Sequence, residues 1–178
     1  VRNIVWAMPF PNETYTIEGK GNEDVVEWRD GRYWYMKNVL SSQSVSSEAI
    51  TIEYQTDIEV HEDTYIVIIG KEDRNTDDIY DGARVEVLLE TATGTVTLYY
   101  YVRNKQYEKT IAVGGTKVYF GKDKSYFCLI SPIVHDYQVA YDTQDTPTRI
   151  KRITLACRVH NTTSLTDEWA AVTFYCVT

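Results

Sequence analysis

The chain is poor in phenylalanine, with 4 against 15 tyrosines, and it holds only 4 prolines and 9 glycines. That scarcity excludes collagen-like and low-complexity structure. No apolar run approaches the roughly 20 residues that a bilayer-spanning helix needs. There is no Gly-rich phosphate loop and no nucleophile elbow. Basic residues are outnumbered, 18 Lys and Arg against 26 Asp and Glu, for a formal charge of −8. The densest basic cluster is Arg149-Ile-Lys-Arg152. Nucleic-acid binders draw most of their affinity from neutralising phosphates, so a chain without a basic patch is not expected to be one. An acidic surface also disfavours docking on anionic membranes.

Cysteine is scarce too: Cys128, Cys157 and Cys176 are the full set. The lack of a C-x-x-C pair excludes a zinc site of the usual spacing. In an oxidising compartment three cysteines give one disulfide and one remaining thiol. Cys157 and Cys176 lie in consecutive predicted strands and are the expected pair. Cys128 is then either buried or intermolecular. Two N-glycosylation acceptor triplets begin at Asn12 and Asn161, each in a polar stretch. The chain starts at Val1 rather than Met, as a mature or trimmed product would. These features point to a secreted or surface-exposed glycoprotein.

What the sequence has in quantity is alternation. In the stretch from Ile50 to Val60, residues Ile50, Ile52, Tyr54, Ile58 and Val60 are apolar. Between them stand Thr51, Glu53, Gln55, Asp57 and Glu59. A period of two means a β-strand with one buried and one wet face. The other segments repeat the theme. Strands are expected at 14–17, 34–40, 65–69, 84–90, 95–103, 107–113, 117–120, 125–134, 137–141, 149–159 and 169–177. Residues 65–69 are apolar on both faces, which predicts a strand covered on both sides. Turns are expected at Arg29-Asp-Gly-Arg32 and at Ala92-Thr-Gly94. About ten to twelve short strands with turn chemistry between them mean an all-β sandwich or barrel. Residues 1–178 are expected to form one domain, with 1–24 an irregular or edge-strand entry.

The order of these pieces resembles the concanavalin A-like jelly-roll superfamily of lectins and β-glucanases. The resemblance rests on a serine-rich loop leading into a long amphipathic strand (Val45 to Tyr54), on the 84–90/95–103 hairpin with its following strand, and on the closing pair Ile153–Cys157 and Trp169–Phe174. It implies an antiparallel two-sheet sandwich. Glucanases of this superfamily carry a Glu-x-Asp-x-Glu or Glu-x-Asp-x-x-Glu pattern on one strand face. The nearest stretch here is Gln55-Thr-Asp57-Ile-Glu59, where an amide stands in place of the nucleophilic carboxylate that a retaining mechanism requires. That amide favours a binder over an enzyme. A second resemblance competes: Gly31-Arg-Tyr-Trp34 is similar to the Gly-x-Trp start of lipocalins, which would imply a closed barrel carrying a small apolar ligand.

The candidate ligand-binding residues are Glu53, Gln55, Asp57 and Glu59, on the wet face of the 50–60 strand, with Tyr99, Tyr100 and Tyr101. Alternation points Tyr100 one way and its two neighbours the other. Asp73, Asn75, Asp77, Asp78 and Asp81 form an oxygen-rich stretch suited to calcium, although the twelfth-position Glu of a calcium loop is missing. No other cofactor is expected. The leading expectation is a non-catalytic binding or adhesion module, with glycan or a protein surface as partner. A third reading is a structural subunit of a virion or filament assembling through Val1–Met8 by strand addition.

Overall fold

The computed structural model describes residues 6, 15–21, 23–40, 47–74, 82–101, 110–111, 117–119, 126–160 and 169–177, with backbone alone for 47–48, 74, 110–111, 117–119, 127, 160, 169–170 and 172–177. Twelve strands and one helix occur among them: β1 (Tyr15–Glu18), β2 (Val25–Arg29), β3 (Tyr33–Val39), β4 (Ser47–Glu59), β5 (Tyr65–Arg74), β6 (Gly82–Thr91), β7 (Gly94–Tyr101), β8 (Thr110–Ile111), β9 (Lys117–Tyr119), β10 (Tyr126–Pro132), α1 (Ile133–Ala140), β11 (Arg149–His160) and β12 (Trp169–Val177). They form a seven-stranded sheet, in the order β1-β4-β11-β6-β7-β9-β8, and a five-stranded sheet, β10-β5-β12-β3-β2. This is the all-β, two-sheet jelly-roll sandwich that the strand order predicts. Pairing is antiparallel except between β7 and β9, which run parallel.

The alternation read from the sequence decides which residues meet between the sheets. Ile50, Ile52 and Tyr54 of β4 are fully buried, as are Val87 and Leu89 of β6 and Leu155 and Val159 of β11. Trp34 and Met36 of β3 and Ile66 and Ile68 of β5 face them from the other sheet. The indole N–H of Trp34 donates to the Tyr54 hydroxyl at 2.7 Å. That bond spans the two sheets and satisfies a polar atom that burial would otherwise leave costly.

Two sheets with separate edges overturn the lipocalin expectation. The Gly31-Arg-Tyr-Trp34 stretch instead turns β2 into β3: Asp30 and Gly31 both have left-handed φ values, 53° and 65°. Asp and Gly tolerate that region, and it matches the twist of a tight hairpin. Residues 133–141 also depart from expectation. The segment 133–140 is helical, not extended. Its buried residues are Ile133, Val134, Asp136, Tyr137 and Ala140, spaced at one, three, four and seven. That is a helical period in a window too short to stand out.

The expected Cys157–Cys176 disulfide is not formed. Cys157 lies on β11 of the seven-stranded sheet and Cys176 on β12 of the five-stranded one. Consecutive strands here cross between sheets rather than pair. Register places Cys176 opposite Ile69, whose other neighbour is the exposed Cys128.

Candidate functional site

The seven-stranded sheet has one face in the core and one outside, and the outer face gathers most of the polar candidates. Its third strand, β11, lies between β4 and β6 and points Arg152, Thr154, Ala156 and Arg158 outward, between the inward Ile153, Leu155, Cys157 and Val159. Register places Thr154 directly between Glu53 of β4 and Glu86 of β6. Ala156 lies between Thr51 and Arg84. The next strand out, β7, sets Tyr99 opposite Glu86 and Tyr101 opposite Arg84. At about 4.8 Å per strand, the row Glu53–Thr154–Glu86–Tyr99 spans roughly 14 Å.

Thr154 and Ala156 are small, and at 1% and 0% exposure they form the floor of this face. Longer side chains flank them: Glu53 and Thr51 on one side, Glu86 and Arg84 on the other. Two buried polar atoms there find no hydrogen-bond partner among the described residues, Thr154 Oγ1 and Arg84 Nε. The Arg84 Nη2 is 3.9 Å from a Glu86 carboxylate oxygen, close enough to feel its charge but too far for a hydrogen bond. Folded chains rarely leave buried polar groups unmatched, and each such group calls for an explanation.

Tyr99 and Tyr101 stack, with ring centroids 6.2 Å apart and planes 25° apart. Partial burial raises the pKa of the Tyr99 hydroxyl above its ordinary value; Glu86 and Tyr101 push the same way, while Arg84 and Arg152 oppose. The hydroxyl therefore stays protonated and able to donate at neutral pH. It also lies within electrostatic range of all four groups.

The remaining candidates fall in different places. Gln55, Asp57 and Glu59 are exposed on the outer face of β4. Asp57 is tied by Arg149 Nε at 2.5 Å and Lys151 Nζ at 3.1 Å. Those bonds, Arg149's first, hold its carboxyl below the ordinary carboxylate pKa. Tyr100 is corrected outright: it is 2% exposed and points into the core. There its hydroxyl donates to Asp136 of α1 at 2.8 Å, an oxygen that also accepts from Ser131. Asp73 is exposed on β5. Asn75, Asp77, Asp78 and Asp81 lie outside the described residues, as do Asn12 and Asn161. Among the described residues no cluster of three His, Cys, Asp or Glu side chains could hold a metal, and no helix is long and apolar enough to cross a membrane.

The sequence alone does not mark Arg84, Glu86 and Thr154 as site residues, and it shows Arg152 only as part of a basic cluster. The signal was available in β6, where Arg84, Glu86, Leu88 and Glu90 alternate with the buried Val85, Val87 and Leu89. What alternation cannot give is which strand lies beside which.

No protein-family profile matches the chain, and no curated protein matches it. Solved structures do. One is a family 28 carbohydrate-binding module specific for non-crystalline cellulose, 12% identical over 94% of this chain and 87% of that one, with a TM-score of 0.47. Another is the xyloglucanase domain of NopAA, a type three effector from Sinorhizobium fredii solved with cellobiose, 6% identical over 98% of both chains, TM-score 0.48. A third is the module TmCBM61 solved with β-1,4-galactotriose, 10% identical over 94% and 88%, TM-score 0.38. All three are at most 12% identical to the chain, with TM-scores no higher than 0.48.

Proposed function

We propose that the outer face of the seven-stranded sheet binds glycan, and that the protein is a non-catalytic binding or adhesion module working outside the cell. One observation carries the reading: two buried, unmatched polar atoms, Arg84 Nε and Thr154 Oγ1, beside a stacked tyrosine pair. A sugar offers what both halves need. Its apolar ring face covers an aromatic ring, and its hydroxyls both donate and accept. Ligand sites characteristically combine aromatic surface with a few placed polar groups. Glu53 and Glu86, on either side of Thr154, supply acceptors for the remaining hydroxyls. The two acceptor triplets at Asn12 and Asn161 fit an extracellular module, and intact-mass measurement of the native protein reads their occupancy.

The test is an array of oligosaccharides and soluble polysaccharides, probed with wild type and with Arg84→Gln. Binding that the variant loses supports the reading, and a blank array sinks it. Running the array with and without calcium tests residues 73–81, since dependence on the ion would assign it there.

A second reading, glycoside hydrolysis, is favoured by the same two carboxylates. Two strand spacings set the Glu53 and Glu86 backbones about 9.6 Å apart. That backbone spacing leaves room for carboxyl groups about 6.5–9.5 Å apart, as inverting enzymes hold them. Release of reducing ends from a polysaccharide bound on the array, abolished by Glu86→Gln, would replace the binding module with an enzyme.

A further inference from the structure

The five-stranded sheet also has an outer face, and at its β5/β10 edge that face is apolar. Ladder pairs set Ile130 beside Val67, Cys128 beside Ile69 and Tyr126 beside Lys71. Ile69 is 36% exposed, Ile130 55% and Tyr126 66%, and Tyr65 and Cys128 are exposed as well. The residues of β10, from Tyr126 to Pro132, include no charged side chain. This is where the fold departs from its own sequence, since 65–69 carries the two-faced apolar pattern of a strand covered on both sides. Within one chain only the inner side, Ile66 and Ile68, is covered.

We propose that a second copy of this chain covers that face, packed sheet on sheet about a two-fold axis that sets the two β10 strands antiparallel. Charge selects both the occupant and the orientation. The chain carries a net −8, so copies repel one another except where charge is absent, and the ladder from Tyr65/Pro132 to Gly70/Phe127 is such a place. Its ends differ in charge, one of mixed sign and the other acidic. Lys71 closes the ladder beside Tyr126, with Asp73 the next outward residue beyond it. Exposed Glu62 and Asp63 immediately precede Tyr65 at the other end. Antiparallel stacking brings the Lys71 end of one copy over the Glu62/Asp63 end of the other, and parallel stacking would oppose like ends. A two-fold contact uses one patch twice, so a single self-complementary ladder is sufficient. The axis that pairs these ends runs by Val67 and Ile130, with Cys128 the next outward residue of β10.

The arrangement leaves both seven-stranded sheets facing outward on opposite sides of the dimer. If the glycan reading holds, the dimer is divalent and links two glycan chains. The pairing itself does not depend on that reading.

Sedimentation velocity over a micromolar concentration series tests it, under reducing conditions. The expected species has twice the 20.6 kDa chain mass. Ile130→Lys should return it to monomer, with an unchanged far-ultraviolet circular dichroism spectrum. Lys71→Glu should weaken dimerisation at least tenfold, and adding Glu62→Lys and Asp63→Lys to it should restore the loss. Cys128→Ser should keep the non-covalent dimer and abolish any disulfide-linked species. A wild-type monomer throughout the series would overturn the proposal, as would a dimer insensitive to Ile130→Lys. Partition of the wild type onto neutral phosphatidylcholine vesicles without dimerisation would overturn it in favour of a lipid surface.

Discussion

Tyr99 and Tyr101 stack on the outer face of the seven-stranded sheet, with ring centroids 6.2 Å apart. An aromatic contact of this kind contributes about 0.5–1.5 kcal/mol beyond its area. Alanine at either position should lower the melting temperature by a few degrees through that lost contact, and on the glycan reading should cost roughly tenfold in affinity because a sugar platform is gone. A thermal melt measures the first, and calorimetric titration with an oligosaccharide found on the array the second.

Tyr100, one residue away, should behave in the opposite manner. Its hydroxyl is buried against Asp136, and replacing it with Phe takes a donor from a buried carboxylate. A loss of about 1–3 kcal/mol is expected in urea unfolding, with no change in affinity. Burial, then the nearby Asp136 charge, raises the Tyr100 pKa well above its ordinary value of 10.0. The folded state thus holds this proton more tightly than the unfolded one. Its contribution is full below that ordinary value and is lost as the pH rises above it. Wild type should be destabilised by alkali more steeply than Tyr100→Phe.

Thr154→Val distinguishes a functional floor from a structural one. The hydroxyl is buried and unmatched among the described residues, so an isosteric apolar group should leave stability unchanged or raise it by about 1 kcal/mol. Affinity should fall in the same variant. A variant that is both less stable and equally tight would show that Thr154 serves the fold instead.

Asp57 sits on the β4 row but is held by Arg149 and Lys151, so its work is predicted to be structural. Its pKa lies below the ordinary 3.8. The stabilisation is present above that value and lost as the pH falls through the lower folded-state pKa. The melting-temperature gap between wild type and Asp57→Asn should be largest near neutrality, close in strong acid, and narrow in high salt because the pair is exposed.

The period of two was legible residue by residue. It marks the inner face of β4, sets Tyr100 opposite its two neighbours on β7 without saying which side is buried, and places turns at Arg29–Arg32 and Ala92–Gly94, since local patterning decides burial and local turn chemistry decides φ. The neighbours of β11 were not legible. That Thr154 falls between Glu53 and Glu86 depends on which distant strands pair, and long-range pairing leaves no mark on a single sequence. The same gap produced the Cys157–Cys176 expectation, because nearness in sequence was read as nearness in space. Helix α1 leaves little mark on the sequence, because eight residues hold too few turns for its period to emerge.

The central claim concerns the place of binding, and a backbone-amide NMR titration with the array's best oligosaccharide tests it most directly. The account predicts shifts concentrated at Glu53, Arg84, Glu86, Tyr99, Tyr101, Arg152 and Thr154, with β5 and β10 unmoved. Shifts confined to Val67, Ile69, Cys128 and Ile130, with the β11 floor silent, would contradict it.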